Sequence, residues 1–439
     1  MMPKEILMKK IEGKEARVAI VGLGYVGLPL AVAVSNGGFQ TIGIDVSQSR
    51  VETINSGVTP ISDVTDDELR GLIDKGFQAS NDYGVVREAD IIIVCVPTPV
   101  TISKDPDLTY VIAAAKEISR YLRSDQLVIL KSTTFPQTTE GIFLPLLAAS
   151  KLTVGKDYFL AFCPERVDPG NRRYRIETTP IVIGGVTDHC NELAVAFYKQ
   201  IVPEVFPVSS PQAAEMTKLL ENVFRNVNIA LVNELAILCE RMGIDIWEVI
   251  AGASTKPFGY MPFYPGPGVG GHCIPIDPYY LSWKAREYDY HIGFIELAAR
   301  VNENMPYHVA QLITEILGQK GLGLSQAKVL VIGVTFKPDV ADTRHSPALK
   351  LIEIIQDKAG WLGFHDPYID EIVVGTKRFR SVDLDEPTLK KVNLAVIITN
   401  HSDLDYQFIV ANTPIILDTR NGCRGIKSDN IYSLGRSRI

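Results

Sequence analysis

A chain of 439 residues, 46% hydrophobic and 22% charged, is ordinary for a globular protein and long for one core, so two or three domains are expected. A net charge of −7 argues against nucleic acid or an anionic membrane as main partner, although a few local Lys and Arg could hold an anionic small molecule. The six cysteines, Cys95, Cys163, Cys190, Cys239, Cys273 and Cys423, form no Cys-x-x-Cys pair, which points away from a zinc site, any other metal or a disulfide framework. Residues 18–34 are largely apolar, but Gly22, Gly24, Gly27 and Pro29 interrupt them. They read as neither signal peptide nor membrane span, and a cytoplasmic protein is expected.

Residues 1–15 are charged and read as a lead-in, either a short helix or disordered. Residues 16–21 then read as a buried strand that runs into Gly22-Leu23-Gly24-Tyr25-Val26-Gly27. An apolar helix follows to about Asn36, and a second strand, 41–44, ends in Asp45. Strand, glycine turn, helix and an acid about 20 residues on make the dinucleotide fingerprint. The glycines let the backbone approach a pyrophosphate lying at the helix N-terminus. Asp45 can accept hydrogen bonds from the adenine ribose and would repel a 2′-phosphate, which favours NAD over NADP, with Arg50 near enough to be recruited.

Two further strands, 89–96 and 126–130, end in Pro97-Thr98-Pro99 and Lys131-Ser132-Thr133-Thr134. In an open parallel sheet the ligand crevice lies at the carboxyl ends of the strands, so Thr98 and Thr133 are candidate cofactor or water contacts. Strand 158–162 leads to Cys163-Pro164-Glu165-Arg166-Val167-Asp168-Pro169-Gly170. A basic loop with Arg172, Arg173 and Arg175 follows, in which only Arg166 is assigned a ligand role. Strand 181–185 is expected to close this first domain.

Residues 212–243 carry the longest helical pattern. Met216, Leu219, Leu220, Val223, Val227, Leu231 and Leu238 are expected to form its core face, against a polar line of Lys218, Asn222, Asn226 and Asn233. Buried polar groups need partners, and a Lys and an Asn one turn apart can point donors at a developing oxyanion. Such a helix between domains also suits a dimer interface. The stretch 263–278, with Pro265, Gly266, Pro267, Gly268, Gly270, Gly271, Pro275 and Pro278, reads as a loop. Gly270 and Gly271 leave room for backbone and ligand beside Cys273. A thiol there, with Asp277 four residues on, suits covalent catalysis on a carbonyl. Residues 297–319 are helical again. Then 328–333 echoes 17–22, continuing Val334-Thr335-Phe336-Lys337 without the three glycines, so a second nucleotide-type half with a different ligand is expected. Lys337, Arg344 and Arg420 lie near its strand ends, where a diphosphate could bind, and strands 361–364, 394–399 and 414–417 complete its sheet.

These motifs, GLGYVGLP, VPTP, KSTT, FCPERVDPG, the Lys218/Asn222 helix, GPGVGGHCIPIDP and GVTFKPDVADTR, resemble those of the UDP-glucose/GDP-mannose dehydrogenase family over nearly the whole chain. The resemblance implies an α/β protein with two Rossmann-like, doubly wound parallel sheets joined by a long central helix and a helical dimerisation region. The implied division is an NAD-binding domain over 1–205, a central domain with the catalytic loop over 206–320, and a UDP-sugar-binding domain over 321–439. It implies two successive NAD-dependent oxidations of a sugar C6 alcohol to a carboxylate through a thiohemiacetal and thioester on Cys273. Lys218 would act as proton donor/acceptor or oxyanion stabiliser beside Asn222. Thr133, Glu165 and Asp277 would organise the water, with Asp277 or Glu165 as base. Gly22, Gly24, Tyr25, Val26, Gly27, Asp45, Arg50, Thr98 and Thr133 fall at cofactor positions. Glu165, Arg166, Val167, Lys218, Asn222, Arg225, Phe263, Gly270, Phe336, Lys337 and Arg420 fall at nucleotide-sugar positions. Arg344 is similar to an arginine that reaches the cofactor of a partner subunit, in a homodimer or higher homo-oligomer. His272 and Ile276 stand where the UDP-glucose branch has Ser and Lys. The pattern resembles the branch acting on UDP-N-acetylhexosamines, with UDP-N-acetylglucosamine the first choice and UDP-N-acetylmannosamine, UDP-N-acetylgalactosamine or UDP-glucose the alternatives.

Overall fold

The computed structural model describes residues 2–61, 63–101, 103–167 and 174–436. Asp168, Pro169, Gly170, Arg172 and Arg173 lie outside the described residues. The chain divides into two compact units, Met1–Glu221 with Tyr279–Tyr290, and Asn222–Pro278 with His291–Ile439.

The first unit is built on β1 (Arg17–Val21), β2 (Gln40–Ile44), β3 (Gln78–Ser80), β4 (Ile91–Val94), β5 (Leu127–Leu130), β6 (Phe159–Phe162), β7 (Ile181–Gly185) and β8 (Val205–Val208). Their order is β3-β2-β1-β4-β5-β6-β7-β8. β1 pairs in parallel with both β2 (Val18↔Thr41) and β4 (Val18↔Ile91), so the winding reverses there and opens a crevice at the strands' carboxyl ends. Every residue of β4, β5 and β6 is buried, as strands covered on both faces require. The charged lead-in forms the helix Pro3–Glu12, which anchors itself through Leu7 and Ile11. Two expectations change. β7 pairs antiparallel with β6 (Ala161↔Gly185), and β7 does not close the sheet, because β8 adds to it in parallel. β8 holds Pro207 and a largely exposed Phe206, a composition only an edge strand tolerates.

The second unit repeats the plan on a smaller scale, with β9 (Lys328–Ile332), β10 (Trp361–His365), β11 (Glu371–Val374), β12 (Lys377–Arg380), β13 (Leu394–Ile397), β14 (Ile416–Asp418) and β15 (Ile431–Ser433). The main sheet runs β10-β9-β13-β14-β15, all parallel, and β11–β12 is a separate antiparallel hairpin. β9 takes the place of β1, flanked by β10 (Val329↔Leu362) and β13 (Val329↔Leu394).

The long helix is Pro211–Met242, 32 residues and about 48 Å. Gly243 ends it at φ +75°. The expected core face is overturned: of its residues only Leu219 is buried, while Met216, Leu220, Leu231 and Leu238 are 40–60% exposed. The buried side is the polar line, with Lys218, Asn222, Asn226 and Asn233 at 7, 4, 4 and 0% exposure. The reason is pairing. Asn233 Nδ2 donates to Asn302 Oδ1 at 2.9 Å, and Asn302 Nδ2 to Asn226 Oδ1 at 2.8 Å, inside a second helix, Gly293–Gln319. Gly266 N–H donates to Asn233 Oδ1 at 2.9 Å. Satisfied amides go inward and the apolar stripe stays outside. Among the described residues no helix is long and apolar enough to cross a membrane.

Candidate active site

In the first unit the three glycines each answer a different steric demand. A Cβ on Gly22 (φ +92°) would stand 2.6 Å from the Cys95 carbonyl oxygen, and one on Gly27 only 1.7 Å from that of Gly22. Gly24 faces open space, as a backbone that must receive a pyrophosphate should. Asp45, at the end of β2, is buried. It accepts from Leu23 N–H (2.9 Å) and Ser47 N–H (2.9 Å), with Arg50 Nη1 at 3.2 Å. Tyr25 is exposed and Val26 half-buried beside this turn. Thr98 and Thr133 are half-buried after β4 and β5, and the hydroxyl of Tyr280 donates to the Thr98 carbonyl. This donor set fits a bound NAD.

Beside β5 and β6 lies a group that sequence reasoning passed over. Lys131 is 2% exposed, with its ammonium 3.2 Å from Glu165 Oε2 and 3.4 Å from the Pro164 carbonyl. Burial works against its charge, yet the Glu165 carboxylate beside it helps to hold the Lys131 pKa above its ordinary value. Burial pushes the Cys95 and Cys163 thiols up, so neither is a ready nucleophile. Glu165 Oε1 accepts from Val167 N–H at 2.7 Å, so the carboxylate is fixed from both ends. The available signal was a lysine directly after four apolar strand residues, a position that demands a counter-charge. Arg166 bonds Glu221 (2.7 Å) and the Pro180 carbonyl (2.7 Å). Lys218 belongs to this unit and is buried.

The second unit holds the thiol. Residues 263–276 are irregular, as expected, but Asp277 and Pro278 begin a helix, Asp277–Ala285, because proline is tolerated in the first turn. Ile276 and Asp277 N–H both donate to the Cys273 carbonyl (3.0 and 2.8 Å), which folds the thiol's turn onto the helix start. Asn222 Nδ2 donates to Asp277 Oδ2 at 2.5 Å, with both side chains buried. Five of the six cysteines are buried, and Cys273 is half-buried.

The room left by Gly270 and Gly271 is taken by protein. Cβ atoms there would lie 2.8 and 2.9 Å from Phe336, and Gly271 N–H donates to the Arg344 carbonyl at 2.9 Å. The glycines thus seat the thiol's loop on the segment carrying Phe336 and Lys337. A Cβ on Gly266 would fall 2.3 Å from Arg420 Nη1. Arg420 donates from Nε to the Ile398 carbonyl (3.1 Å), and burial pushes its guanidinium down to about 10. Among the described residues no carboxylate pairs with that guanidinium. Arg344 is exposed and chelates Asp342 from Nε and Nη2 (2.5–3.0 Å). Burial opposes the Asp342 anion, but Arg344 and His272 hold its carboxyl below the usual carboxylate range. Phe263 stacks edge-on to Phe224 at 5.6 Å, and Arg225 is exposed. The candidates therefore gather as Lys131–Glu165–Arg166 in the first unit and as Cys273–Asp277–Asn222 and Phe336–Lys337 in the second, where Arg420 lies against Gly266. Among the described residues no cluster of His, Cys, Asp and Glu is set to hold a metal.

A strand-turn-acid dinucleotide module, a second nucleotide-type half and a thiol on a glycine-rich turn define a nucleotide-sugar dehydrogenase. The chain belongs to the UDP-glucose/GDP-mannose dehydrogenase family, whose NAD binding domain matches residues 16–202, central domain 212–304 and UDP binding domain 330–424. It is an NAD-dependent oxidoreductase. A UDP-N-acetyl-D-mannosamine dehydrogenase of Pyrococcus horikoshii is 36% identical over 386 residues, 86% of this chain and 91% of that one. A UDP-N-acetyl-D-glucosamine 6-dehydrogenase of Pseudomonas aeruginosa is 36% identical over 361 residues, covering 81% and 84%. Among solved structures, a UDP-D-ManNAc dehydrogenase from Pyrococcus horikoshii superposes with a TM-score of 0.87 at 34% identity, covering 96% of this chain and 100% of that one.

Proposed function

We propose that the chain oxidises the C6 alcohol of a UDP-N-acetylhexosamine, UDP-N-acetylglucosamine first, to the uronic acid in two NAD-dependent steps. It would thereby make precursors for bacterial or archaeal surface polysaccharides or glycans. Bound NAD supplies the hydride acceptor for each oxidation. Lys218 and Asn222, one turn apart on the long helix, stabilise the developing C6 oxyanion, and Lys218 carries the alcohol's proton. The Cys273 thiolate adds to the aldehyde as a thiohemiacetal, and its oxidation leaves a thioester. Water, held by Thr133 and by Asp277 or Glu165 as base, cleaves the thioester, releasing the carboxylate and restoring the thiolate. Arg420 and Lys337 take the diphosphate, with Arg166, Val167, Phe263, Gly270 and Phe336 around the nucleotide sugar. The functional division is 1–205, 206–320 and 321–439.

The observation that carries this reading is the turn of Cys273. It is the half-buried thiol of the set, its carbonyl receives the first N–H of the next helix, and that helix's Asp277 is gripped by Asn222. His272 and Ile276 support the N-acetylhexosamine branch, and relatives named for both the mannosamine and glucosamine substrates keep the epimers side by side. The test is NADH formation over a panel of UDP-sugars. An N-acetylated sugar should turn over fastest, with two NADH per sugar consumed and a uronic acid product. One NADH per sugar with a released aldehyde or ketone would mean a simple two-electron dehydrogenase. Fastest turnover of UDP-glucose would overturn the branch assignment.

The exposed stripe on the long helix supports a homodimer. Met216, Leu220, Phe224, Leu231, Leu235, Leu238 and Met242 follow steps of four, four, seven, four, three and four, a seam that a second copy can cover. Arg344 would then approach the neighbour's cofactor. Sedimentation should give a dimer or larger at micromolar concentration, and Leu220→Glu with Leu231→Glu should shift it to monomer. A fully active wild-type monomer would refute this assembly.

A further inference from the structure

The echo between residues 17–22 and 328–333 extends to hydrogen bonds. Gly22 sits at φ +92° and donates to the Ile44 carbonyl at 2.7 Å, while Gly333 sits at φ +80° and donates to that of His365 at 2.8 Å. Leu23 N–H reaches Asp45 Oδ2 at 2.9 Å, and Val334 N–H reaches Asp366 Oδ2 at 2.6 Å. Ser47 N–H reaches Asp45 Oδ1 at 2.9 Å, and Tyr368 N–H reaches Asp366 Oδ1 at 2.9 Å. A Cβ on Gly22 would meet Cys95 O at 2.6 Å, and one on Gly333 would meet Thr399 O at 2.4 Å, each just past the neighbouring strand. The strand-turn-acid device is built twice.

The copies part at two points. Where Gly24 faces open space, the second copy has Thr335, fully buried. Where Asp45 has the exposed Arg50 for a neighbour, Asp366 has His401, also fully buried, with Nε2 at 3.1 Å from Oδ2. The bonds fix the imidazole's tautomer. Asp339 N–H donates to Nδ1 at 3.1 Å, so Nε2 carries the proton, directed at Asp366 Oδ2 and at Thr335 Oγ1 (3.2 Å). The Thr335 hydroxyl donates onward to the Lys337 carbonyl at 3.0 Å. Asp339 stands at φ +62° and accepts from Ser402 N–H at 2.8 Å. Burial opposes the Asp366 anion, but His401 and the N–H groups of Tyr368 and Val334 hold its carboxyl below the usual range.

We propose that His401 and Thr335 fill the second module's dinucleotide crevice from within, and that His401 is a positioning residue holding the 335–339 loop in the shape that presents Lys337 to UDP. The acid that would grip a ribose becomes an internal clamp, so each chain binds one dinucleotide. The second statement rests on the reading of Lys337 as a diphosphate ligand.

The test is calorimetric binding of UDP and of NAD to the full-length protein. His401→Leu should weaken UDP about tenfold, consistent with the loss of one or two buried hydrogen bonds. Thr335→Val, nearly isosteric, should weaken it by several-fold, while NAD affinity holds at one site per chain. His401→Gln, which keeps a donor for Asp366, should recover part of the loss. In turnover the KM for UDP-sugar should rise. Lys337→Ala is the reference. If it binds UDP normally, the diphosphate reading falls and the positioning role with it. If it binds weakly while Thr335→Val and a folded His401→Leu bind UDP like wild type, the positioning role alone is overturned. Should His401→Leu fail to fold, Thr335→Val decides. Two NAD per wild-type chain would overturn the filled crevice.

Discussion

Cys273→Ser is expected to keep NAD and UDP-sugar binding and to lose steady-state turnover by more than about a thousandfold, as removal of a covalent nucleophile does elsewhere. In the proposed two-step reaction the first oxidation needs a base and NAD but no thiol. The second needs a tetrahedral adduct, and a serine hydroxyl is a far weaker nucleophile at neutral pH than a thiolate. Burial of Cys95, Cys163 and Cys190 leaves no other thiol of the first unit to substitute. Intact-mass measurement after a quench should find a sugar-sized adduct on Cys273 in wild type or in the slow-hydrolysis variant Asp277→Asn, and none in Cys273→Ala. Uronic acid formed by Cys273→Ser at the wild-type rate would reduce Cys273 to packing.

Lys218→Ala comes next in size. In the proposed mechanism the buried Lys218 is the oxyanion donor, and loss of one such donor costs about 3 kcal/mol, roughly a hundredfold or more in kcat. Substrate affinity should change far less than kcat, because the charge it stabilises develops only in the transition state. A variant that binds weakly but turns over normally at saturation would make Lys218 a binding residue.

Legibility in the sequence followed the range of the interactions. The first strand, its glycine turn and Asp45 lie within 30 residues of one another, and local sterics fix them, so the pattern was readable. The long helix was readable in extent but not in facing. Periodicity finds stripes, and which stripe turns inward depends on Asn302, 69 positions beyond Asn233. The Lys131–Glu165 pair joins two strand ends and leaves no periodic trace. β8 escaped because an edge strand with Pro207 imitates a loop. Likewise Gly270 and Gly271 signalled a close approach without naming what approaches.

What approaches is Phe336, and this bears on the choice of substrate. The turn bearing Cys273 and the segment bearing Lys337 touch through two glycines that admit no side chain between them, so in the proposed mechanism the grip on uridine diphosphate and the aim of the thiol share one mount. Binding energy released far from C6 can then serve the chemistry at C6. A free N-acetylhexosamine, even at saturating concentration, should fail in kcat as well as in affinity, and added UDP should restore part of its turnover.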